Sequence, residues 1–235
     1  KQGCTDPNAI NYNSSANQDN VNCTYSLMDI EGNSYGAKTI GHQIWMTENL
    51  KVKKYRNGDT IPQVQDALQW SQLTTGAWCW SINSADNGAI YGKLYNWYAV
   101  NDPRGLAPKG WHIPSKAEWT TITTFLGGEN VAGGKMKATG LSLWNSPNFG
   151  ATNESGFSGL PGNTRYNNIG IFGDLGGFGI WWSAEEGWYN VLQSNNEQLR
   201  TAFADNKNRE SGIQFVASRM ILQNLISSLR EENTP

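Results

Sequence analysis

Residues 129 to 180 show no sustained hydrophobic period, helical or strand-like, and are crowded with glycine. A stretch of that length without regular pattern is uncommon in a compact domain and needs a particular fold to support it. The composition says what the support is made of. Tryptophan occurs 11 times and glycine 26 times in 235 residues, and charged residues make up 16%. Ordinary soluble domains carry about 25% charged residues. This balance points to large rings packed under irregular backbone, a loop-rich fold in which no long helix or wide sheet dominates. The same rings suit ligand contact, because an aromatic side chain offers area at low entropic cost.

The remaining chain divides into short elements. Residues 26 to 60 read as short strands, with Gly32 and Gly41 marking hairpin-like turns. "DALQWSQL" at 66–73 reads as one short helix. In "YGKLYNWYAV", Tyr91, Leu94, Tyr95 and Tyr98 recur at helical spacing, which predicts a buried helix. Ser115 followed by Glu118 is a capping box and predicts a helix from about Lys116 to Leu126, stopped by Gly127 and Gly128. Trp119, Ile122 and Phe125 are expected to face inward. "IWWSAEEGWYNVLQSN" and "QLRTAFADNKNRESGIQFVAS" read as paired strands, and the tail from residue 220 to 235 returns to helix-like spacing.

Residues 1 to 25 are Asn, Asp and Ser-rich and nearly free of aliphatics, so they form turns and cannot build a core. Cys4 and Cys23 flank this segment and are its natural disulfide; a loop of that size gains about 3 kcal/mol in the chain-entropy model. The bridge implies export to an oxidising compartment. Oxygen-bearing side chains, Asp6, Asn8 and Asp19 among them, suit either Asx-turns or a weak Ca²⁺ site. Ile10 stands where an EF-hand would need a ligand. The chain begins at Lys1 with no Met and no hydrophobic leader, which a trimmed mature protein or a cut piece of a longer chain would explain. No apolar run reaches membrane-spanning length, and a net charge of −2 gives no basis for nucleic-acid binding.

The sequence offers little for catalysis. His42 and His112 are isolated, and no H-x-x-x-H or C-x-x-C pattern suggests zinc. His112, beside Trp111, reads as structural. Nucleophile elbows, P-loops and dinucleotide fingerprints are absent. Glu185 and Glu186 are adjacent, so a strand would point them to opposite faces. Cys79, between two tryptophans, reads as a buried inert thiol. Binding has more support: "EEGWYNVLQSNNEQLRTAFADNKN" mixes rings, amides, hydroxyls and a guanidinium. Trp188, Tyr189, Gln193, Asn195, Asn196, Arg200 and Asn206 are the expected contact residues. Its bland counterpart is a polar sheet edge with no partner.

Five blocks in order carry a family likeness: "IWMTENLKVKKYRNGDTIP", "YGKLYNWYAV", "GLAPKGWHIPSKAEWTTI", "GFSGLPGNTRYNNIGIF" and "WWSAEE". Together, over about 26 to 219, they resemble the Fibrobacter succinogenes major paralogous domain. The resemblance implies an α+β, C-type-lectin-like fold of the formylglycine-generating-enzyme branch, loop-rich, with two helices beside small antiparallel sheets. It implies that "PKGWHIPSKAEW" is framework, with Trp111 and Trp119 as core anchors. The formylglycine-generating relatives use paired active-site cysteines, whereas Cys79 is the only cysteine of the matched region, so that activity is not carried over. Two further departures stand out. Ala107 and Ala217 occupy positions where the family often has cysteine, and a shifted reading frame from about Val216 would restore the family ending Arg-Cys. The branch is also similar to the variable proteins of diversity-generating retroelements, whose ligand-binding residues lie near the domain's end.

These readings combine into an expectation: residues 1–25 as a small disulfide module, 26–219 as the domain, 220–235 as a helical tail. The expected function is non-enzymatic recognition of a surface protein or glycan by a secreted or cell-surface bacterial protein. The alternative is a structural or adhesion module. No cofactor beyond the weak Ca²⁺ candidate is expected.

Overall fold

In a computed structural model of the chain, residues 1–7, 9–19, 23–166, 169–203 and 218–220 are described. The chain opens with β1 (Gln2–Gly3) and β2 (Gln18–Asp19), a short parallel pair. The expected disulfide joins Cys4 to Cys23 beside it. Strands β3 (Thr24–Met28), β4 (Ser34–Ile40) and β5 (Gln43–Met46) follow as an antiparallel meander. The β4–β5 turn sits on Gly41 at φ +62, where a Cβ would also meet the Phe125 ring at 3.1 Å. After helix α1 (Ala67–Ser71) come β6 (Trp78–Trp80), a 3-10 turn, helix α2 (Ala85–Tyr91), strand β7 (Lys93–Tyr95) and helix α3 (Trp97–Val100). Helices α4 (Lys116–Phe125) and α5 (Glu129–Met136) precede the long irregular segment. Strands β8 (Phe178–Trp182), β9 (Trp188–Gln193) and β10 (Leu199–Phe203) form a second antiparallel sheet. Strand β11 (Ser218–Met220) returns to pair with β5, giving a four-stranded sheet ordered β11-β5-β4-β3.

The class is α+β with small sheets, as expected, but the helices differ. Five short α-helices stand among the described residues where two were expected. "YGKLYNWYAV" is not one helix. Gly92, at φ +75, ends α2 where a Cβ would lie 2.9 Å from the Leu50 carbonyl oxygen. The chain then runs extended to pair with β6, and the Asn96 side chain caps α3 by accepting from Ala99 N–H. Tyr91, Leu94 and Tyr95 are buried all the same, because strand and helix ends alike face the core.

The capping box of α4 forms as expected: Ser115 Oγ accepts from Glu118 N–H, and Ser115 N–H donates to Glu118 Oε2 at 2.8 Å. Trp119 and Ile122 are fully buried, but Phe125 is 58% exposed. The inward stripe runs instead through Trp119, Ile122, Thr123 and Leu126, the spacing of one helix face, and Phe125 falls beside it over Gly41.

The core is a stack of rings. Trp45 of β5 and Trp119 of α4 lie with centroids 4.8 Å apart, Phe157 sits 6.0 Å from each, and Trp181 of β8 is 5.6 Å from Phe157. One contiguous cluster thus ties both sheets and α4 to the irregular segment. Buried long polar side chains of that segment tie its main chain to neighbouring segments by satisfying carbonyls of both, as buried carbonyls require. Lys137 Nζ donates to the carbonyls of Phe149, Gln193 and Asn196. The Arg165 guanidinium donates to those of Gly170, Val64 and Gln65, between the Trp70 and Phe172 rings.

Candidate functional site

The sheet β8-β9-β10 presents two faces. Register fixes them: Trp182 lies opposite Tyr189, and Tyr189 opposite Ala202, while Trp181 lies opposite Asn190 and Asn190 opposite Thr201. The inner face carries Trp181, Leu192 and Leu199 into the core. It also carries Asn190, fully buried, which donates to Ser183 Oγ and accepts from Thr201 Oγ1. The outer face carries Phe178, Ile180, Tyr189, Val191, Gln193, Arg200 and Ala202, alternating as strand geometry requires.

That outer face floors a groove of about 280 Å³. Ile180, Val191 and Ala202 make its apolar bed. Asn163, Thr164, Tyr166 and Asp174, from the irregular segment, form the facing wall. The wall is built on purpose by local chemistry. Arg165 pins it to the chain around Val64, and Asn163, at φ +78, donates from Nδ2 to Gly173 O across the wall's own turn. The opposite end is fixed by Lys137, whose ammonium holds the β9–β10 turn through Gln193 O and Asn196 O.

The expected contact residues separate into three groups. Tyr189, Gln193 and Arg200 line the groove together. The Tyr189 ring stands edge-on to Trp182 at 6.5 Å. Neither its hydroxyl nor the exposed Arg200 guanidinium has a hydrogen-bond partner among the described residues. Gln193 Oε1 accepts from Asn196 Nδ2 at 2.6 Å, so the two amides stiffen the turn. Asn195 and Asn196 lie on that turn; Asn196 Oδ1 accepts from Gln198 N–H and its Nδ2 donates to Asn195 Oδ1. Trp188 points to the other face, stacked on Phe203 at 5.2 Å and under the Lys116 ammonium at 3.5 Å. Asn206 lies outside the described residues, as do Ala217 and the tail beyond Met220. The groove's wall residues were not legible in the sequence, because they reach the sheet only through the tertiary path of the loop.

Other chemistry-bearing groups lie apart from the groove. Burial pushes the Cys79 thiol up to about 12. His112 Nε2 meets Glu118 Oε1 at 2.7 Å, so His112 braces the capping box; that hydrogen bond raises its pKa, against a smaller opposing effect of burial. Among the described residues no three His, Cys, Asp or Glu side chains gather as a metal site. Of the Ca²⁺ candidates, Asp6 Oδ2 accepts from the Tyr25 hydroxyl at 2.9 Å, Asp19 lies in β2, and Asn8 is outside the described residues.

A loop-rich α+β domain with an open, mixed apolar and polar groove on a small antiparallel sheet is the class that these features define. The chain belongs to the Fibrobacter succinogenes major domain family, whose model matches residues 39–216. No curated protein and no solved structure matches it. No helix among the described residues is long and apolar enough to cross a membrane.

Proposed function

We propose that this chain is a non-enzymatic recognition domain with a C-type-lectin-like fold, exported by a bacterium and displayed at or released from its surface. It binds a protein or glycan ligand in the groove over β8, β9 and β10. The observation that carries the reading is the pairing of an apolar bed with two polar groups that have no hydrogen-bond partner among the described residues, the Tyr189 hydroxyl and the Arg200 guanidinium. A ring beside free donors suits both a sugar's apolar face with its hydroxyls and a peptide's side chains with its carbonyls. The return of β11 to β5, which brings the domain's two ends into one sheet, supports the C-type-lectin-like reading. The Cys4–Cys23 bridge supports export. Function belongs to the site and not to the fold, so the ligand class rests on the groove alone.

The test is a binding screen of the whole chain against glycans and host and bacterial surface proteins, with and without Ca²⁺. Saturable binding that is lost in a folded Tyr189→Ala, Arg200→Ala variant supports recognition at the groove. Stable oligomers with no ligand across the screen would replace it by a structural or adhesion role, and turnover of any ligand would replace it by an enzyme.

A further inference from the structure

A second site lies on the edge strand β3. Among the described residues β3 has one sheet neighbour, β4. The flanking bonds from Thr39 N–H to Cys23 O and from Asp29 N–H to Asn33 O show that odd-numbered residues of this strand face β4. The even-numbered residues therefore turn their N–H and C=O outward. At Thr24 those outward groups are already taken: its carbonyl accepts from Ile10 N–H at 2.8 Å, and its N–H donates to Asn11 Oδ1 at 2.8 Å. The N-terminal segment thus covers the first step of the edge. The next two steps, Ser26 and Met28, have no main-chain partner on that side among the described residues. An uncovered edge of this kind is a template for another strand.

Beyond Met28 the edge opens into a groove of about 260 Å³, separate from the one described above. Its floor is Val52, Leu106 and Pro108, and its lip carries Met28 and Ile30, 65% and 50% exposed. Lys54 and Lys109 stand on the rim with no ion-pair or hydrogen-bond partner among the described residues. The one carboxylate lining the groove, Asp29, is fully engaged. It accepts from Glu31 N–H, from Asn33 N–H and Nδ2, and from the Tyr35 hydroxyl.

We propose that this edge and groove form a docking site for an extended segment of a partner protein, acidic and apolar in alternation. The segment adds as a strand through Ser26 and Met28, seats apolar side chains against Met28, Ile30 and Val52, and sets its carboxylates on Lys54 and Lys109. Charge selects this occupant over a second copy of the chain, because the β3 strand of a second copy, Thr24–Met28, brings no carboxylate to Lys54 or Lys109.

The test uses the whole chain and a short labelled peptide of alternating glutamate and valine, with a lysine–valine peptide as control. The expected result is binding of the acidic peptide only, with amide exchange at Ser26 and Met28 slowed at least about tenfold. Lys54→Glu with Lys109→Glu should weaken binding at least about tenfold. Ser26→Pro, which removes an outward donor and leaves the β4 ladder whole, should abolish it. Tyr189→Ala should leave it unchanged, which separates this site from the recognition groove. Equal binding of the lysine peptide, unaltered exchange at Ser26 and Met28, or no binding of the acidic peptide at millimolar concentration would each overturn the proposal.

Discussion

Replacing Lys137 by methionine removes the ammonium that three main-chain carbonyls share, at 2.8, 2.9 and 2.7 Å, and keeps the volume of a fully buried side chain. Each carbonyl left buried without a donor costs about 1–3 kcal/mol. Set against this is the lysine's own burial, which pulls its pKa from 10.5 down to about 8. A fall of that size is a penalty of about 3 kcal/mol on the charged form, and methionine escapes it. The difference leaves an expected loss of about 3 kcal/mol for Lys137→Met. For a domain of this size that lowers Tm by about 6–12 °C. The damage should centre on the β9–β10 turn. The amides of Gly134 and Phe149, which donate to Glu197 O and Ser194 O on that turn, should exchange faster than the amides of α4. Chemical denaturation with an unchanged m-value gives the magnitude, and amide exchange gives the place. A loss under about 1 kcal/mol, or equal acceleration of exchange throughout the chain, would refute the reasoning.

Three further outcomes follow from the same structure. Trp119→Ala should cost about 3–5 kcal/mol and Phe125→Ala under about 1 kcal/mol, although both lie on α4; comparable losses in denaturation would contradict the ring stack. The hydrogen bond to Glu118 raises the His112 pKa, so its contribution to stability is full below the unfolded value of 6.5 and is lost as pH rises through the folded one. Glu118, which burial alone would raise, is held below 4.5 by His112 and Ser115, so its share is present above that value and lost as pH falls through the folded one. Melting profiles of His112→Ala should therefore lack the wild-type decline on the alkaline side of 6.5; an unchanged decline would place its origin elsewhere. Cys79 should resist alkylation in the native state at mildly alkaline pH and label fully in denaturant, and rapid native labelling would show that the thiol is open to solvent.

What the sequence disclosed was what local chemistry decides. The Ser115–Glu118 box, the short helix after Asp66, the Gly41 turn and the strand segments of β8 to β10 each depend on a few adjacent residues, and each is present. The failures have tertiary causes. Helix α5 carries Gly133 and Gly134, poor helix formers that hid it. They are there because a Cβ at either would lie within 2.4 Å of the Gln198 or Gly150 carbonyl oxygen, so only glycine lets the helix sit against that backbone. "YGKLYNWYAV" has helical spacing, yet pairing with β6 drew its centre into a strand. In the candidate site, the sequence named Trp188, Tyr189, Gln193 and Arg200 together, and only the strand register separates Trp188 from the face that carries the other three. Asn163, Tyr166 and Asp174 were beyond reach, since Arg165 and Lys137, each spanning distant segments, fold the loop over the sheet.

The proposed recognition site holds its ligand on the outer face of β8-β9-β10 and not on the face that carries Trp188. It is tested most directly by measuring, for any ligand found in the screen, the affinity of two folded double variants. One is Tyr189→Ala with Arg200→Ala, and the other is Trp188→Ala with Phe203→Ala. At least about a tenfold loss is expected in the first, the scale of one removed anchor, and little change in the second. Loss confined to the second variant would contradict it and move the site to the opposite face.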